Sequence, residues 1–435
     1  MVLKNVKQKA FLFVFIVTFI LMPKVCLAGN VNVNLIWKFP DPHWLEIEVR
    51  QGTYVLRFDQ SKLSLSSGES IKIGCSSIAR FLLRGNQLSV VNGQDIKLAT
   101  SNNGVFRVRE PGKDWVSYRG DLKISAQGTG WTLLNTLDRE DYLKGVVPIE
   151  MSNAWAAKGF EALKAQAVAA RTYLLKNADK NGTITDSPDI HQAYWGKTAE
   201  GEASRAVDET KGEVLVDITS RQPISIFYSS HNGGYSEETE HVWENHDPHY
   251  TSEPDSFSEG IGGFTDSWNF YIAADILGSS FSLAPIRKVN LKKYESGRVY
   301  EVELVDWLGK EKIITGGAFV RKFYPVGQSL SSDSFLGRLF RADYIFPNGS
   351  DFSGIPGLLK IANPKPGPLL SRLKSSNEGL SSEERNFGVF VFEGHGWGHG
   401  VGMSQWGAYN MAMQGYSYQE ILNYYYKNTA LIKKP

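Results

Sequence analysis

The sequence predicts an α+β fold, with a β-rich N-terminal region joined to a core of mixed strands and helices. Three observations predict it. Apolar and polar residues alternate through residues 31–125. An alanine-rich run from Glu161 to Lys176 repeats its apolar positions at helical spacing. Near the C-terminus, glycine recurs at every second position from Gly394 to Gly402, and helical segments follow it.

The N-terminus comes first. Lys4, Lys7 and Lys9 precede an apolar run from Ala10 to Met22, whose 13 residues fall short of the ~20 that a membrane helix needs. Pro23 ends the run, and Cys26-Leu27-Ala28 offers small residues for cleavage after Ala28. The reading is an export signal over 1–28, with an uncleaved membrane anchor as the alternative. Cleavage would remove four lysines and turn the formal charge of +1 slightly acidic. Cys75 would then be the sole cysteine, which excludes an intramolecular disulfide and a cysteine-rich zinc site. Within the run Ile71 to Ala79 it reads as a buried small hydrophobe. A near-neutral charge balance gives no sign of a nucleic-acid surface.

In residues 31–125 the alternation is carried by Val31, Val33 and Leu35, by Leu45, Ile47 and Val49, and by Tyr54 and Leu56, with Gly52, Gly68 and Gly93 as turn signals. The stretch Tyr142 to Met151 then ends an apolar segment in one carboxylate, Glu150. In the run that follows, Leu163, Ala167, Ala170 and Leu174 share a helix face, while Gln166, Arg171 and Tyr173 interrupt it. Strand character returns with Val214, Val216 and Ile218 and again with Ile224, Ile226 and Tyr228, closing on Ser229-Ser230-His231-Asn232-Gly233-Gly234. A hairpin is expected around Ser296-Gly297-Arg298 and a Pro/Ser-rich loop over 364–382. Helices are expected to begin near Ser404 and to cover Ser417 to Tyr425.

Glu150 sits between Ile149 and Met151, where desolvation would favour its neutral form and fit it to protonate a glycosidic oxygen. A surface glutamate is the bland alternative. His395 and His399 are four apart, but Gly396-Trp397-Gly398 between them argues against a zinc-binding helix. His231, His241, His246 and His249 form a second histidine-rich stretch with no spacing that shows convergence. No Gly-x-Ser-x-Gly elbow, dinucleotide fingerprint or phosphate-binding loop occurs. Tyr194, Trp195, Trp243, Trp397 and Trp406 read either as sugar-stacking surfaces or as core.

Several blocks in order resemble the SpoIID/LytB family of sporulation and cell-wall proteins. They are Tyr142 to Met151, Glu161 to Tyr173, His191 to Gly196, Tyr228 to Gly234, Val242-Trp243, Gly394 to Ala408 and Tyr424-Tyr425-Tyr426. The resemblance spans roughly residues 130–430. It implies a SpoIID-like catalytic core that acts as a peptidoglycan lytic transglycosylase, with Glu150 as the catalytic residue. It also implies glycan strands as substrate, preferably stripped of stem peptides by an amidase acting beforehand. The alternatives are a wall-binding enhancer of such an amidase and a hydrolytic muramidase.

Gln166, Arg171, Tyr173, His191, Tyr194, Ser230, His231, His395, His399 and Gln405 are then the expected substrate-binding or orienting residues. Some relatives hold zinc with a Cys/His set, but here His231 stands where a cysteine is common, so no cofactor is expected and zinc is the lesser alternative. The expected organisation is a signal over 1–28, a β-rich domain over 29–125 and a first part of the catalytic core over 126–250. A strand-rich extension over 251–392, with its insertion near 364–382, and a segment over 393–435 that completes the core follow. Export to the periplasm or cell envelope is expected, with no contact to nucleic acid and none to membrane beyond the signal segment.

Overall fold

A computed structural model describes residues 29–76, 79–243, 245–325, 329–345 and 387–434. The signal over 1–28 and the insertion near 364–382 lie outside the described residues.

Before the first helix come β1 (Asn30–Asn34), β2 (Trp44–Gln51), β3 (Thr53–Phe58), β4 (Ser61–Ser66), β5 (Ser70–Cys75), β6 (Arg80–Arg84), β7 (Gln87–Val90), β8 (Asp95–Thr100), β9 (Val105–Arg109), β10 (Val116–Arg119), β11 (Asp121–Gln127) and β12 (Gly130–Asp138). There follow α1 (Arg139–Glu150), α2 (Phe160–Asn177), β13 (Thr183–Thr185), α3 (Ser204–Glu209), β14 (Glu213–Asp217), β15 (Tyr228–Ser229) and α4 (Glu240–Trp243). The remainder holds β16 (Ser267–Ala273), α5 (Ala274–Ser280), β17 (Ile286–Lys293), β18 (Val299–Asp306), β19 (Glu311–Thr315), α6 (Gly316–Phe323), β20 (Leu339–Ile345), β21 (Val389–His395), β22 (Met403–Ser404), α7 (Gln405–Met413), α8 (Tyr418–Tyr425) and β23 (Thr429–Lys433). The protein is of mixed α+β class.

The early strands form a 7-stranded sheet in the order β13-β1-β12-β11-β8-β3-β4 and a 6-stranded sheet in the order β10-β9-β2-β5-β6-β7. Side chains alternate across a strand, so β2 buries Leu45, Ile47 and Val49 while Glu46 and Glu48 point outward to Arg109 and Arg107. Cys75 is buried. The expected boundary at 125/126 falls inside β11, and β1 pairs with both β12 and β13. One hydrophobic core accordingly runs from Val31 through α1 and α2 to Tyr426. A second core, built on Trp268, Phe270, Phe319, Phe335 and Phe392, joins β16, β18, β20 and β21 to α5 and α6.

Strand character over 210–230 is narrower than the alternation suggests. The strands there are β14 and β15, and between them a turn with Arg221 in the left-handed region (φ 57°) leaves a single bridge from Val216 to Pro223. Ile224 and Ile226 are buried without a strand around them.

The two central helices follow from their ends and their packing. Asp138 caps α1 by accepting from the Glu140 and Asp141 N–H groups, and the acidic first turn suits the positive end of the helix. Alanines at 162, 165, 167, 169 and 170 keep α2 thin enough to lie against α1 and α7. Arg171 stands on α2 as a strut rather than in a cleft. It is fully buried, and its guanidinium grips the Glu140 carboxylate at 2.6 and 2.9 Å. Its other N–H groups go to the Ala167, Val207 and Glu213 carbonyls. No donor is left for a substrate, so the expected binding role of Arg171 is replaced by a structural one.

Removing one partner of such a pair strands the other charge in the core. Arg171→Met should lower the unfolding free energy by about 3–5 kcal/mol, measured by urea titration followed by circular dichroism.

Candidate active site

Glu150 is the last residue of α1. The carbonyl end of a helix carries partial negative charge, which disfavours a carboxylate there. Pro148 lies two residues back and has no N–H, so the Lys144 carbonyl loses its helical partner; the Ser204 hydroxyl donates to it at 3.2 Å instead. Gly145 lies on the face where the 193–196 loop crosses the helix. A Cβ there would sit 2.6 Å from the Tyr194 ring, so only glycine allows the loop to lie this close.

That contact brings the Ala193 N–H to 3.3 Å from Glu150 Oε1. Two side chains donate to the same carboxyl: the Tyr228 hydroxyl and the Gln405 amide. Burial pushes the Glu150 carboxyl up from its ordinary 4.5 to about 7, against the pull of these three donors. Among the described residues no second carboxylate acts on it.

The donors are themselves held in direction. Tyr142 Oη donates to Gln192 Oε1 at 3.4 Å, and Gln192 Nε2 donates to Tyr228 Oη at 3.1 Å. The Tyr228 proton is thereby left for Glu150. Tyr228 is placed by the parallel pairing of β15 with β22, which sets Tyr228 opposite Met403 and Ser229 opposite Ser404. This pairing needs Gly402, whose φ is +72° and whose hypothetical Cβ would fall 2.1 Å from the Phe227 carbonyl oxygen. Ser404 caps α7 through the Gly407 N–H, and so fixes Gln405 at the helix start beside Glu150.

The structure sorts the expected site residues. Glu150 and Gln405 meet directly. Tyr173 stands close enough for the Glu150 charge to raise its hydroxyl, which burial raises first. Ser230 serves by backbone, its carbonyl accepting from the Trp406 N–H at 3.1 Å. His191 Nδ1 meets the Thr185 hydroxyl at 3.0 Å, and His191 anchors the loop that carries Gln192 and Ala193. His399 is neutral, its pKa lowered to about 4 by burial and then by Arg298 and Arg338. It holds the other end of Tyr228 by donating to the Tyr228 carbonyl, while its Nδ1 accepts from the Val401 N–H.

Four expected residues do not line the site. Arg171 is the strut described above. Tyr194 is buried, donates to Asn135 Oδ1 at 2.9 Å and packs against the Tyr142 ring, so it supports the loop from beneath. Gln166 is fully enclosed, and neither polar end of its amide has a partner among the described residues. His395 is exposed and meets the Asp266 carbonyl through Nδ1 at 2.9 Å.

His231 bears on the zinc alternative. Its Nε2 donates to the Ile261 carbonyl at 2.9 Å and its Nδ1 accepts from the Gly233 N–H at 2.9 Å, so both nitrogens are occupied. Among the described residues no group of three or more His, Cys, Asp or Glu is arranged to hold a metal ion. The residues present do not fit the Cys/His zinc set of some relatives. The residues that single-site reading missed are Tyr228, Gln192 and Tyr142. All three lie inside the resemblance blocks, yet nothing in their spacing announces a directed chain.

Fold and site define an α+β protein organised around one carboxyl group, on a residue that keeps partial solvent exposure, with three donors aimed at it. Comparison with known proteins shows what the chain is similar to. A family model described as Stage II sporulation protein, SpoIID, matches residues 127–216, the segment that carries α1, Glu150, α2 and the 191–196 loop. An amidase enhancer of Bacillus subtilis (strain 168) is 29% identical over 299 residues, covering 66% of this chain and 40% of that relative. Stage II sporulation protein D of the same organism is 25% identical over 333 residues, covering 71% of this chain and 79% of the relative. An uncharacterized protein of Brachyspira hyodysenteriae (strain ATCC 49526 / WA1) is 29% identical over 323 residues, 73% of each chain. The chain is thus similar to SpoIID proteins over residues 127–216 and to these relatives over about two thirds or more of its length.

The raised pKa makes a stability prediction. Folding costs nothing extra at Glu150 below its ordinary pKa of 4.5, where folded and unfolded forms both hold the proton. The cost grows as pH rises and is complete above about 7. Glu150→Gln should match the parent in melting temperature at pH 4. At pH 8 it should be the more stable by about 1–3 kcal/mol, as read by calorimetry.

Proposed function

We propose that this protein is a peptidoglycan lytic transglycosylase in which Glu150 acts first as acid and then as base. The match to the SpoIID model supports a cell-wall-related role, and the observation that carries the finer reading is a single carboxyl group held by the Ala193 N–H, the Tyr228 hydroxyl and the Gln405 amide, with its pKa pushed up to about 7. A carboxyl group poised there is available as a neutral acid and gives an effective base once ionised.

Neutral Glu150 protonates the oxygen between N-acetylmuramic acid and N-acetylglucosamine. The C1–O bond breaks and positive charge develops on the muramic sugar. The Tyr228 hydroxyl, the Gln405 amide and the Ala193 N–H stabilise the carboxylate that forms. That carboxylate takes the proton of the C6 hydroxyl, O6 bonds to C1, and a 1,6-anhydro end results with no water consumed. Ordinary glycoside hydrolysis uses two carboxylates; the reaction proposed uses one. His399 contributes as a positioning residue through the Tyr228 backbone.

Export to the cell envelope, glycan strands as substrate and an amidase acting beforehand belong to the same proposal. Among the described residues no helix is long and apolar enough to cross a membrane. The relative named amidase enhancer favours one second reading, a wall-binding partner that raises the activity of an amidase without cutting glycan itself.

Mass spectrometry of products from intact and peptide-stripped glycan separates the two. The parent chain should leave anhydro-muramic ends and Glu150→Gln should leave none; glycan bound but uncut by both would overturn the lytic reading and favour the second. The pH profile gives an independent check. With the neutral acid required, kcat/KM should be flat below about 6 and fall tenfold per unit above about 7. Tyr228→Phe removes a donor that favours the ionised form, so its fall should begin at higher pH.

A further inference from the structure

A second cluster lies beyond the carboxyl site. Trp37 and Trp195 are 39% and 38% exposed, although large aromatic side chains gain most from burial. Their ring centroids are 6.3 Å apart at an interplanar angle of 64°. The Lys38 ammonium lies 3.7 Å from the Trp37 ring centroid and 3.5 Å from that of Trp195.

Backbone hydrogen bonds fix the three residues that carry the cluster. Buried Asp186 accepts from the backbone N–H groups of Trp37 at 2.8 Å and Lys38 at 3.2 Å. The Trp195 N–H is fixed to the Gly145 carbonyl at 3.2 Å. Burial pulls the Lys38 pKa down and Asp186 opposes this from beyond ion-pair range. Among the described residues the Lys38 ammonium has no carboxylate in ion-pair contact. An ammonium that is partly desolvated, flanked by exposed indole surface and without a counterion is suited to a ligand that brings its own anion. Trp195 follows by two residues the Ala193 whose N–H binds Glu150, a separation of at most about 7 Å along the chain.

We propose that Trp37, Lys38 and Trp195 form a subsite for a carboxylate-bearing sugar of the glycan strand, with the pyranose against the indoles and the carboxylate at Lys38. The proposal rests on the glycan reading of the Glu150 site. Muramic acid supplies such a group, because its lactyl arm ends in a free carboxylate when no peptide is attached and in a neutral amide when one is. Indole surface can stack on the C–H face of any pyranose; the ammonium distinguishes the charged sugar from its amide.

The test uses the full chain carrying Glu150→Gln, so that binding is read without turnover. Intrinsic fluorescence and calorimetry would follow three probes: an alternating N-acetylglucosamine–N-acetylmuramic acid oligosaccharide with free lactyl carboxylates, the same oligosaccharide with those groups amidated, and a neutral chitooligosaccharide. The acidic probe should bind best. Lys38→Met should weaken it about tenfold and leave the other two unchanged, whereas Trp195→Phe should hold affinity better than Trp195→Ala for all three. Equal binding of acidic and amidated probes, or a Lys38→Met chain that binds like its parent, overturns the subsite. If the chain with Glu150 intact cuts no glycan yet this discrimination is seen, the catalytic reading fails and the subsite stands. If it cuts glycan and Lys38→Met has no effect on binding, the subsite alone fails.

Discussion

Taking the Glu150 carboxyl out of bulk water raises its proton affinity, and the donors around it limit how far that rise goes. Burial alone could push a carboxyl several units upward. The Ala193 N–H, the Tyr228 hydroxyl and the Gln405 amide each favour the ionised form, and the balance falls near 7. Desolvation without donors would leave an acid too weak to give up its proton. Donors without desolvation would leave an ordinary carboxylate, ionised at neutral pH. The need to satisfy both explains why the group lies at a helix end, where one loop, one strand and a second helix start converge.

Each converging element is placed by features distant in sequence. The loop approaches because Gly145 has no side chain and because His191 and Asp186 hold its earlier turn. The strand approaches because Gly402 lets β22 pass against Phe227. The helix start is set by Ser404, whose hydroxyl also donates to Ser258 Oγ, which in turn donates to the buried Asp255 carboxylate. Asp255 accepts in addition from Asn232, Tyr424 and Tyr425, so residues from three parts of the chain meet on one acid. Beneath them the Arg171–Glu140 pair locks α2 to the first turn of α1.

Much of this was legible in the sequence because it repeats or ends abruptly. The alternation of β2, the period of α2 and the serine caps of α7 and α8 all register as local pattern, and a carboxylate closing an apolar run marked Glu150. What escaped was direction. Arg171 and Gln405 are both polar residues set among apolar ones, yet one turns into the core to meet Glu140 and the other into the site. Tyr194 and Tyr228 are both tyrosines at loop or strand ends, yet one supports the loop from below and the other donates to Glu150. Orientation of this kind depends on partners 31 residues away or more, as for Arg171 and Glu140, and no local spacing encodes it.

The second hydrophobic body is coupled to the site by charge buried in the Gly-rich block. Arg298, in the turn between β17 and β18, reaches into the 232–237 loop and donates to the Asn232 and Tyr235 carbonyls at 2.5 and 2.8 Å. It sits so close to Gly400 that a Cβ there would overlap the guanidinium. Glu237 is its counterion at 3.8 Å and also receives Ser296 and His241. These positive charges lie near enough to depress His399, and a neutral His399 can accept from Val401 while donating to the Tyr228 carbonyl. An imidazolium could not accept, and one of the bonds that seat Tyr228 would be lost. Arg298 therefore does more than join two bodies. Burial does most to keep His399 neutral, and Arg298 adds to it, preserving the backbone position from which the Tyr228 hydroxyl reaches Glu150.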